Sequence, residues 1–276
     1  MNTTPSSLLA PSPPLAGRRA WVSGASRGIG RACAHELARL GAELVLVARD
    51  AGALESVAAE ISASAHPGAS STPRVLPLDF AEVDRVAGAA DDEVARHGPV
   101  HVLINNTGGP PGGPVAGATI EDLQRWFSIH LACNHTLATA FLPGMRTAGY
   151  VRIVNIISTS VKQPIPGLGV SNTVRGAVAN WAKTLAGEVA ADGITVNNIL
   201  PGATDTDRLR GLIAARATRT GTGEAEVAAD MKHAIPARRF AQPTEIAAAV
   251  AFLASPAAGY ITGINLPVDG GRTGCL

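Results

Sequence analysis

The sequence has few cysteines, and their arrangement argues against two classes of protein. Only three are present among 276 residues, Cys33, Cys133 and Cys275, and none has the spacing that metal ligands usually show. An odd number of cysteines in a chain of this length also argues against a framework of disulfides. We therefore expect a protein of the reducing cytoplasm that binds no metal.

Charge of one sign and long apolar runs are lacking as well. The 23 basic and 22 acidic residues leave a net charge of +1, which gives no electrostatic reason to expect nucleic acid or an anionic membrane as a partner. No apolar run approaches the roughly 18 residues of a membrane span, and the N-terminus lacks the pattern of a secretory signal. We expect a small-molecule partner, a disordered Pro/Ser tail over residues 1–14 and one domain over residues 15–276.

The chain does contain a regular alternation of short aliphatic runs, such as ELVLVA and VHVLINN, with long alanine-rich amphipathic stretches. This alternation is typical of an α/β fold in which helices cover both faces of a parallel sheet. We predict a single-domain, Rossmann-type, doubly wound parallel sheet. The cluster GGPPGGP at 108–114 follows a predicted strand and should therefore lie at the carboxyl edge of the sheet, where such folds bind ligands.

The segment WVSGASRGIGRACAHELARLGAELVLVARD predicts a strand, a glycine-rich turn, a helix and a second strand. Gly24, Gly28 and Gly30 allow the backbone to approach a pyrophosphate at the helix N-terminus, where free N–H groups favour an anion. The alternative is a tight turn whose glycines serve packing alone. Because the turn joins a strand to a helix and a second strand follows, we favour a dinucleotide site.

From about Arg18 to Gly271 the sequence resembles the short-chain dehydrogenase/reductase family. The family's first turn is T-G-x3-G-x-G, with Ser23 for the threonine here. NNTG at 105–108 is similar to the family's N-N-A-G, and ITVNNILPGATDT at 194–206 is similar to its segment near the nicotinamide. The resemblance implies that residues along these motifs bind the cofactor: Gly24, Ser26, Arg27, Gly28, Ile29, Gly30, Arg49, Asp79, Phe80, Asn106, Gly108, Arg175, Pro201, Gly202, Thr204 and Thr206.

The end of the second strand decides which dinucleotide is bound. An acid there bonds the ribose 2′-hydroxyl of NAD, whereas an arginine can pair with the 2′-phosphate of NADP. Arg49 occupies this place and is followed by Asp50, while Arg27 in the glycine turn adds a second positive charge. Both arginines could instead be solvated surface charges. We predict NADP(H) in preference to NAD(H), and the resemblance implies that Asp79 meets the adenine.

The family's catalytic residues are an asparagine, a serine and a pair spaced Y-x3-K, and only the serine is kept, as Ser158. The resemblance puts Ser171 in place of the tyrosine, Arg175 in place of the lysine and His130 in place of the asparagine. An aliphatic hydroxyl is a far weaker acid than a phenol, so Ser171 is at best a proton relay, while Arg175 keeps the positive charge. His130 is expected to titrate near neutrality and to supply the proton through water, or else to be structural.

Functions of different classes remain open. One is an NADP(H)-dependent oxidoreductase that interconverts a carbonyl and a hydroxyl, similar to 3-oxoacyl reductases but with altered catalytic residues. Another is a nucleotide-binding scaffold or sensor with little or no activity, and a third is a dehydratase or epimerase built on the same site. The resemblance implies a homodimer or homotetramer.

The segment over residues 203–236 is expected to form a mobile lid over the substrate cleft. Its three arginines, Arg208, Arg210 and Arg216, could receive an acidic substrate or carrier. The interpretation that we favour is a solvated helix face, and the segment names no particular substrate.

Overall fold

The structure is a computed structural model that describes residues 13–64 and 72–275. The strands are β1 Arg19–Ser23, β2 Glu43–Ala48, β3 Arg74–Pro77, β4 Val102–Asn105, β5 Val151–Ile156, β6 Ile194–Pro201 and β7 Asn265–Val268. The α-helices are α1 Gly28–Arg39, α2 Ala51–Ala63, α3 Val83–His97, α4 Ile120–Phe127, α5 Cys133–Ala148, α6 Gly169–Val189, α7 Asp207–Thr220, α8 Glu224–His233 and α9 Pro243–Ala254. None of the helices in these two ranges has the length and apolar character needed to cross a membrane.

In the described part of the chain, all seven strands pair in parallel in the order β3-β2-β1-β4-β5-β6-β7. The order reverses between β1 and β4, because the chain winds outward to β3 and then returns to the other side of β1. A crevice forms beyond the carboxyl ends of strands at such a reversal. The predicted doubly wound parallel sheet is confirmed.

Neighbouring residues of the central strand pack on opposite faces of the sheet. Trp21 of β1 joins a core with α3, α5 and α6, whereas Val22 joins a core with α1, α2 and α9. Phe141 of α5 contacts Trp21, with ring centroids 5.3 Å apart. Because helices bury both faces, the strands appear in the sequence as continuous aliphatic runs.

A row of asparagines crosses the sheet from the carboxyl end of β4 to the start of β7. Asn105, Asn155, Asn198 and Asn265 occupy paired positions on β4, β5, β6 and β7. Each of the first three donates its side-chain amide to the side-chain oxygen of the next, at 2.9 Å in every case. We call this row the asparagine ladder. It pairs amide groups that would be costly to bury alone, although Oδ1 of Asn105 is buried without a partner among the described residues.

The predicted N-terminal tail falls mostly on residues 1–12, which lie outside the described residues. Pro13 and Pro14 already contact the domain: the Pro13 carbonyl accepts from the N–H of Ala16 at 3.0 Å, and the Pro14 carbonyl accepts from Arg18. The predicted boundary at residue 15 stays a prediction.

Candidate active site

The glycine-rich turn between β1 and α1 has the backbone geometry that a pyrophosphate site requires. Gly24 and Gly28 adopt positive φ angles of 66° and 55°, which residues with a Cβ rarely reach. A Cβ on Gly30 would stand 2.1 Å from the carbonyl oxygen of Gly24, so only glycine lets α1 approach β1 this closely. The helix begins at Gly28 without a side-chain cap, which leaves its first N–H groups available to an anion.

The other predicted residues of this turn differ in exposure. Ser26 and Ile29 are half-buried, with Ile29 packed against the core, whereas Arg27 is exposed. The side-chain amide of Asn106, directly after β4, donates to the carbonyl of Ser23 at 3.3 Å. This bond joins the end of β4 to the turn and places both at the crevice.

Arg49 follows β2 directly and is exposed at the end of that strand. Its side chain makes no ion pair or hydrogen bond with another described residue. The neighbouring acid, Asp50, is occupied, because its carboxylate caps α2 and accepts from the N–H of Ala53 at 3.0 Å. The guanidinium of Arg49 is therefore available to pair with a phosphate.

Asp79 and Phe80, the two predicted cofactor residues after β3, differ in burial. Asp79 is half-buried, and its carboxylate accepts from the N–H of Ala81 at 3.0 Å. Phe80 is 8% exposed, and its ring packs in the core with α3 and α5. Its carbonyl accepts from the thiol of Cys133 at 3.0 Å, so the backbone N–H is the group of Phe80 that remains for a ligand.

The segment after β6 reaches the glycine turn from the other side of the crevice. Pro201 ends β6, and the N–H of Gly202 donates to a carbonyl of β7 at 2.9 Å. Thr204 is buried, and Thr206 caps α7 with its hydroxyl. A Cβ on Gly28 would lie 3.3 Å from the methyl group of Thr206, so the two predicted cofactor segments face each other at close range.

The predicted serines and Arg175 lie where β5 ends and α6 begins. Ser158 follows β5, and its hydroxyl oxygen accepts from the N–H of Ser160 at 3.1 Å. Ser171 and Arg175 are both buried and stand one turn apart on α6. The guanidinium donates to the hydroxyl oxygen of Ser171 at 3.4 Å and to the carbonyl of Ile156 at 3.1 Å. Arg175 is thus anchored two residues before Ser158.

His130 occupies an irregular turn between two helices. Residues Ser128–Ala132 form a π-helical turn that joins α4 to α5, a distortion that often marks functional sites. His130 is buried, its Nδ1 is 2.8 Å from the hydroxyl oxygen of Thr107, and its Nε2 is buried without a partner among the described residues. Thr107 precedes the predicted Gly108 and was not predicted as a site residue. The signal was available, because threonine replaces the family's alanine there.

The expectation that His130 titrates near neutrality is wrong. Burial lowers the pKa of this histidine well below its usual range, and the positive charges of Arg175 and Arg208 lower it further. The imidazole is therefore neutral at physiological pH, and it cannot act there as a cationic acid.

Arg208 is exposed, as the favoured interpretation of the lid expects, but its guanidinium is not free in solvent. Its guanidinium donates to the carbonyls of Gly109 and Pro110 at 2.9 and 3.0 Å, and so connects α7 to the GGPPGGP loop across the mouth of the cleft. By contrast, Arg210 pairs with acids at the start of α7, and Arg216 is exposed. The predicted lid consists of α7 and α8, which share a small apolar core.

Sequence comparison identifies relatives over almost the whole chain. The family model described as enoyl-(acyl carrier protein) reductase matches residues 24–273. The 3-oxoacyl-(acyl-carrier-protein) reductase FabG of Pseudomonas aeruginosa is 35% identical over 268 residues, which cover 93% of this chain and 98% of that protein. The NADPH-dependent reductase BacG of Bacillus subtilis is 32% identical over 254 residues, with coverages of 92% and 97%.

Solved structures agree with these relatives. YwfH, an NADPH-dependent reductase involved in bacilysin biosynthesis, superposes with a TM-score of 0.88 at 30% identity and covers 94% of this chain and 99% of its own. L-Sorbose reductase of Gluconobacter frateurii, complexed with NADPH and L-sorbose, gives a TM-score of 0.87 at 29% identity, with coverages of 96% and 100%. A protein described as a short-chain dehydrogenase/reductase superposes with a TM-score of 0.79 at 32% identity. With the crevice, the glycine turn and these relatives in agreement, the chain belongs to the short-chain dehydrogenase/reductase family of oxidoreductases.

Proposed function

We propose that the protein is an NADP(H)-dependent oxidoreductase that interconverts a carbonyl and a hydroxyl group. The observation that carries the proposal is a glycine turn with no room for a Cβ at Gly30, combined with an unpaired Arg49 at the end of β2. A dinucleotide 2′-phosphate fits these groups, and several relatives are named for NADPH or contain NADP. When bound, the reduced cofactor supplies the hydride.

The hydroxyl of Ser158 is suited to bind the reacting oxygen. Its oxygen already accepts from the N–H of Ser160, so its own O–H is left to donate. A donor aimed at an oxygen that gains negative charge during hydride transfer stabilises the transition state more than the ground state. We assign Ser158 the role of polarising the substrate carbonyl.

Ser171 and Arg175 take the places of the family's tyrosine and lysine in this proposal. Burial, and secondarily the charge of Arg208, lower the pKa of Arg175 to about 10, so the guanidinium stays charged at neutral pH. It donates to the oxygen of Ser171, which leaves the O–H of Ser171 able to pass a proton to the substrate oxygen. Ser171 takes a proton from water as it gives its own to the substrate oxygen, so the serine hydroxyl is regenerated, hydroxide leaves to the solvent and water is the net proton source.

His130 has a positioning role in this scheme, because a neutral imidazole is not a proton source at neutral pH. Its hydrogen bond with Thr107 holds the loop that carries Gly108 against the π-helical turn. The altered site therefore depends on one polarising serine, one hydroxyl relay and one fixed positive charge.

Replacing Ser171 tests the relay. Ser171→Ala is expected to lower turnover of a simple ketone by about a hundredfold or more, the usual contribution of a positioned proton donor, while the affinity for NADPH stays unchanged. Thr173→Ala, an exposed hydroxyl on the same helix, is the matched control. The double variant Ser171→Tyr with Arg175→Lys restores a tunable acid and its cation and is expected to raise turnover. Full activity of Ser171→Ala would exclude the relay.

A nucleotide-binding scaffold or sensor with little activity is the second candidate. It is favoured by the neutral state of His130 and by the absence of a phenol at position 171, which leave the site without an acid that titrates near neutrality. Tight NADPH binding without oxidation of the cofactor by a broad panel of carbonyl compounds would support this candidate and contradict the reductase.

The oligomeric state and the cellular location of the protein are also part of the proposed function. We propose a cytoplasmic homodimer or homotetramer that associates through the long helices α5 and α6 and the adjoining α4. Phe127 at the end of α4 is 47% exposed and offers a large apolar side chain on this surface for a second copy to cover. Light scattering coupled to gel filtration measures the assembly, and a monomer at micromolar concentration would contradict it.

A further inference from the structure

Two guanidinium groups face the same part of the substrate cleft without an acidic partner. Arg175 is 7% exposed inside the cleft, and Arg208 lies at its more open mouth. Neither forms an ion pair with a described Asp or Glu; their hydrogen bonds go to neutral carbonyls and to one hydroxyl. Arg175 is a buried cation, and such groups are normally paired with an acid, so its lack of a carboxylate partner beside a second, exposed arginine is unusual.

The two groups converge on one point. A Cβ placed on Gly109 would stand 2.6 Å from Nη2 of Arg208 and 3.2 Å from Nη2 of Arg175. Both Nη2 atoms therefore fall within a span that a single carboxylate, with its two oxygens, can bridge. The absence of a side chain at Gly109 lets the Arg208 guanidinium lie directly against the loop and close to Arg175.

Both arginines have hydrogen-bonding capacity left for a ligand. Nη2 of Arg175 makes no hydrogen bond within residues 13–64 and 72–275. Arg208 donates to two loop carbonyls, which are neutral acceptors that a charged oxygen can replace. The buried Nε2 of His130 is a further polar atom without a partner, and both arginines act electrostatically on this ring. Arg175 and His130 thus each have a polar nitrogen without a partner among the described residues, and Arg208 has donors that a charged oxygen can recruit.

We infer that the cleft takes an oxo acid, whose carboxylate is held by Arg175 and Arg208 while Ser158 meets its carbonyl oxygen. Arg175 is bound to the carbonyl of Ile156, two residues before Ser158, so the carboxylate and the reacting carbonyl must be close together in the substrate. A 2-oxo or 3-oxo acid satisfies this requirement, whereas a neutral thioester or sugar offers no charge to the arginines. The inference rests on the proposed function and deepens it.

The cofactor phosphates are not the anion that this pair serves. The pyrophosphate fits the first N–H groups of α1 at the glycine turn, and the 2′-phosphate fits Arg49 at the end of β2. Arg175 instead lies beyond β5, beside the residue that polarises the carbonyl. The pair is therefore a specificity determinant for the substrate.

Matched acids and esters test the inference. The probes are 2-oxo-4-phenylbutanoate and acetoacetate, each compared with its ethyl ester, with NADPH oxidation as one readout and calorimetric binding of the acids to the NADP+-saturated protein as the other. We expect each acid to exceed its ester in kcat/KM by about tenfold or more, the scale of one charge-assisted hydrogen bond. Equal values for acid and ester would overturn the inference and leave the reductase standing.

A variant of Arg208 tests whether the preference for the acid over its ester comes from the Arg175–Arg208 pair. Arg208→Gln keeps an amide donor for the loop carbonyls and removes the charge, and it is expected to weaken acid binding about tenfold while ester turnover changes little. Arg216→Gln, an exposed arginine on the same helix, is the matched control, and thermal unfolding verifies that both variants fold. Unchanged acid binding in folded Arg208→Gln would overturn the inference. Binding of the acids that depends on Arg208, without any NADPH oxidation, would support it and refute the reductase instead.

Discussion

Replacing His130 with asparagine is expected to make the protein lose less stability when the pH falls from neutral to mildly acidic. The folded protein resists protonation of His130, because burial and the nearby Arg175 and Arg208 hold its pKa well below the usual range. In the unfolded chain the same imidazole has a pKa of about 6.5. The unfolded state therefore binds more protons as the pH falls below that value, and the free energy of unfolding decreases with decreasing pH.

The size of this effect follows from proton linkage. If the folded histidine takes up no proton between pH 7 and pH 5.5, protonation of this one group in the unfolded state lowers the free energy of unfolding by about 1.2 kcal/mol over that range. His130→Asn removes the group and retains a polar side chain that can still bond Thr107. The variant is thus expected to lose about 1.2 kcal/mol less stability than the unaltered protein on the same change of pH.

Urea denaturation of both proteins at pH 7 and pH 5.5 measures this difference, which cancels the contributions of every other titrating group. The control is His97→Asn, which replaces an exposed histidine at the end of α3. If His130→Asn loses as much stability as the unaltered protein between the two pH values, His130 is protonated in the folded state and the argument for a neutral ring is wrong.

Three further changes test the cofactor site and the sheet. Arg49→Asp is expected to weaken NADPH binding and to spare or improve NADH binding, and equal affinities of the unaltered protein for the two would contradict the assignment. Gly30→Ala is expected to prevent NADPH binding because its Cβ would meet the Gly24 carbonyl at 2.1 Å, whereas Gly88→Ala, where a Cβ meets open space, should leave the binding isotherm unchanged. Asn155→Leu removes two bonds of the asparagine ladder and is expected to lower the free energy of unfolding by about 2–4 kcal/mol in urea titrations; a loss below about 0.5 kcal/mol would show that the ladder adds no stability.

The features that the sequence predicted correctly depend on residues close together in the chain. Continuous aliphatic runs separated by amphipathic stretches sufficed for the parallel sheet, because both faces of each strand are buried. The positive φ of Gly24 and Gly28 follows from the spacing of the glycines in the turn. Ser171 and Arg175, predicted as a pair from the resemblance, are four residues apart, and this separation brings them into contact on α6.

The parts that were wrong or missed depend on contacts between distant segments. The ionisation of His130 is set by arginines on α6 and α7 and by burial in a π-helical turn, and none of these can be read from the residues around it. Arg208 resembles any surface arginine of an amphipathic helix, yet it contacts a loop 99 residues away in the chain. Partners at such separations become visible only when the packing of the elements is known.

The asparagine ladder favours the native register of its strands over a register shifted by one residue. Its successive members are 50, 43 and 67 residues apart, so its three bonds form only after four remote segments have met. A slip of β5 or β7 by one residue turns its asparagine to the opposite face and leaves amide groups without partners, at about 1–3 kcal/mol for each unpaired group. Sheets in which β5 or β7 is misaligned by one residue are therefore less stable than the native one.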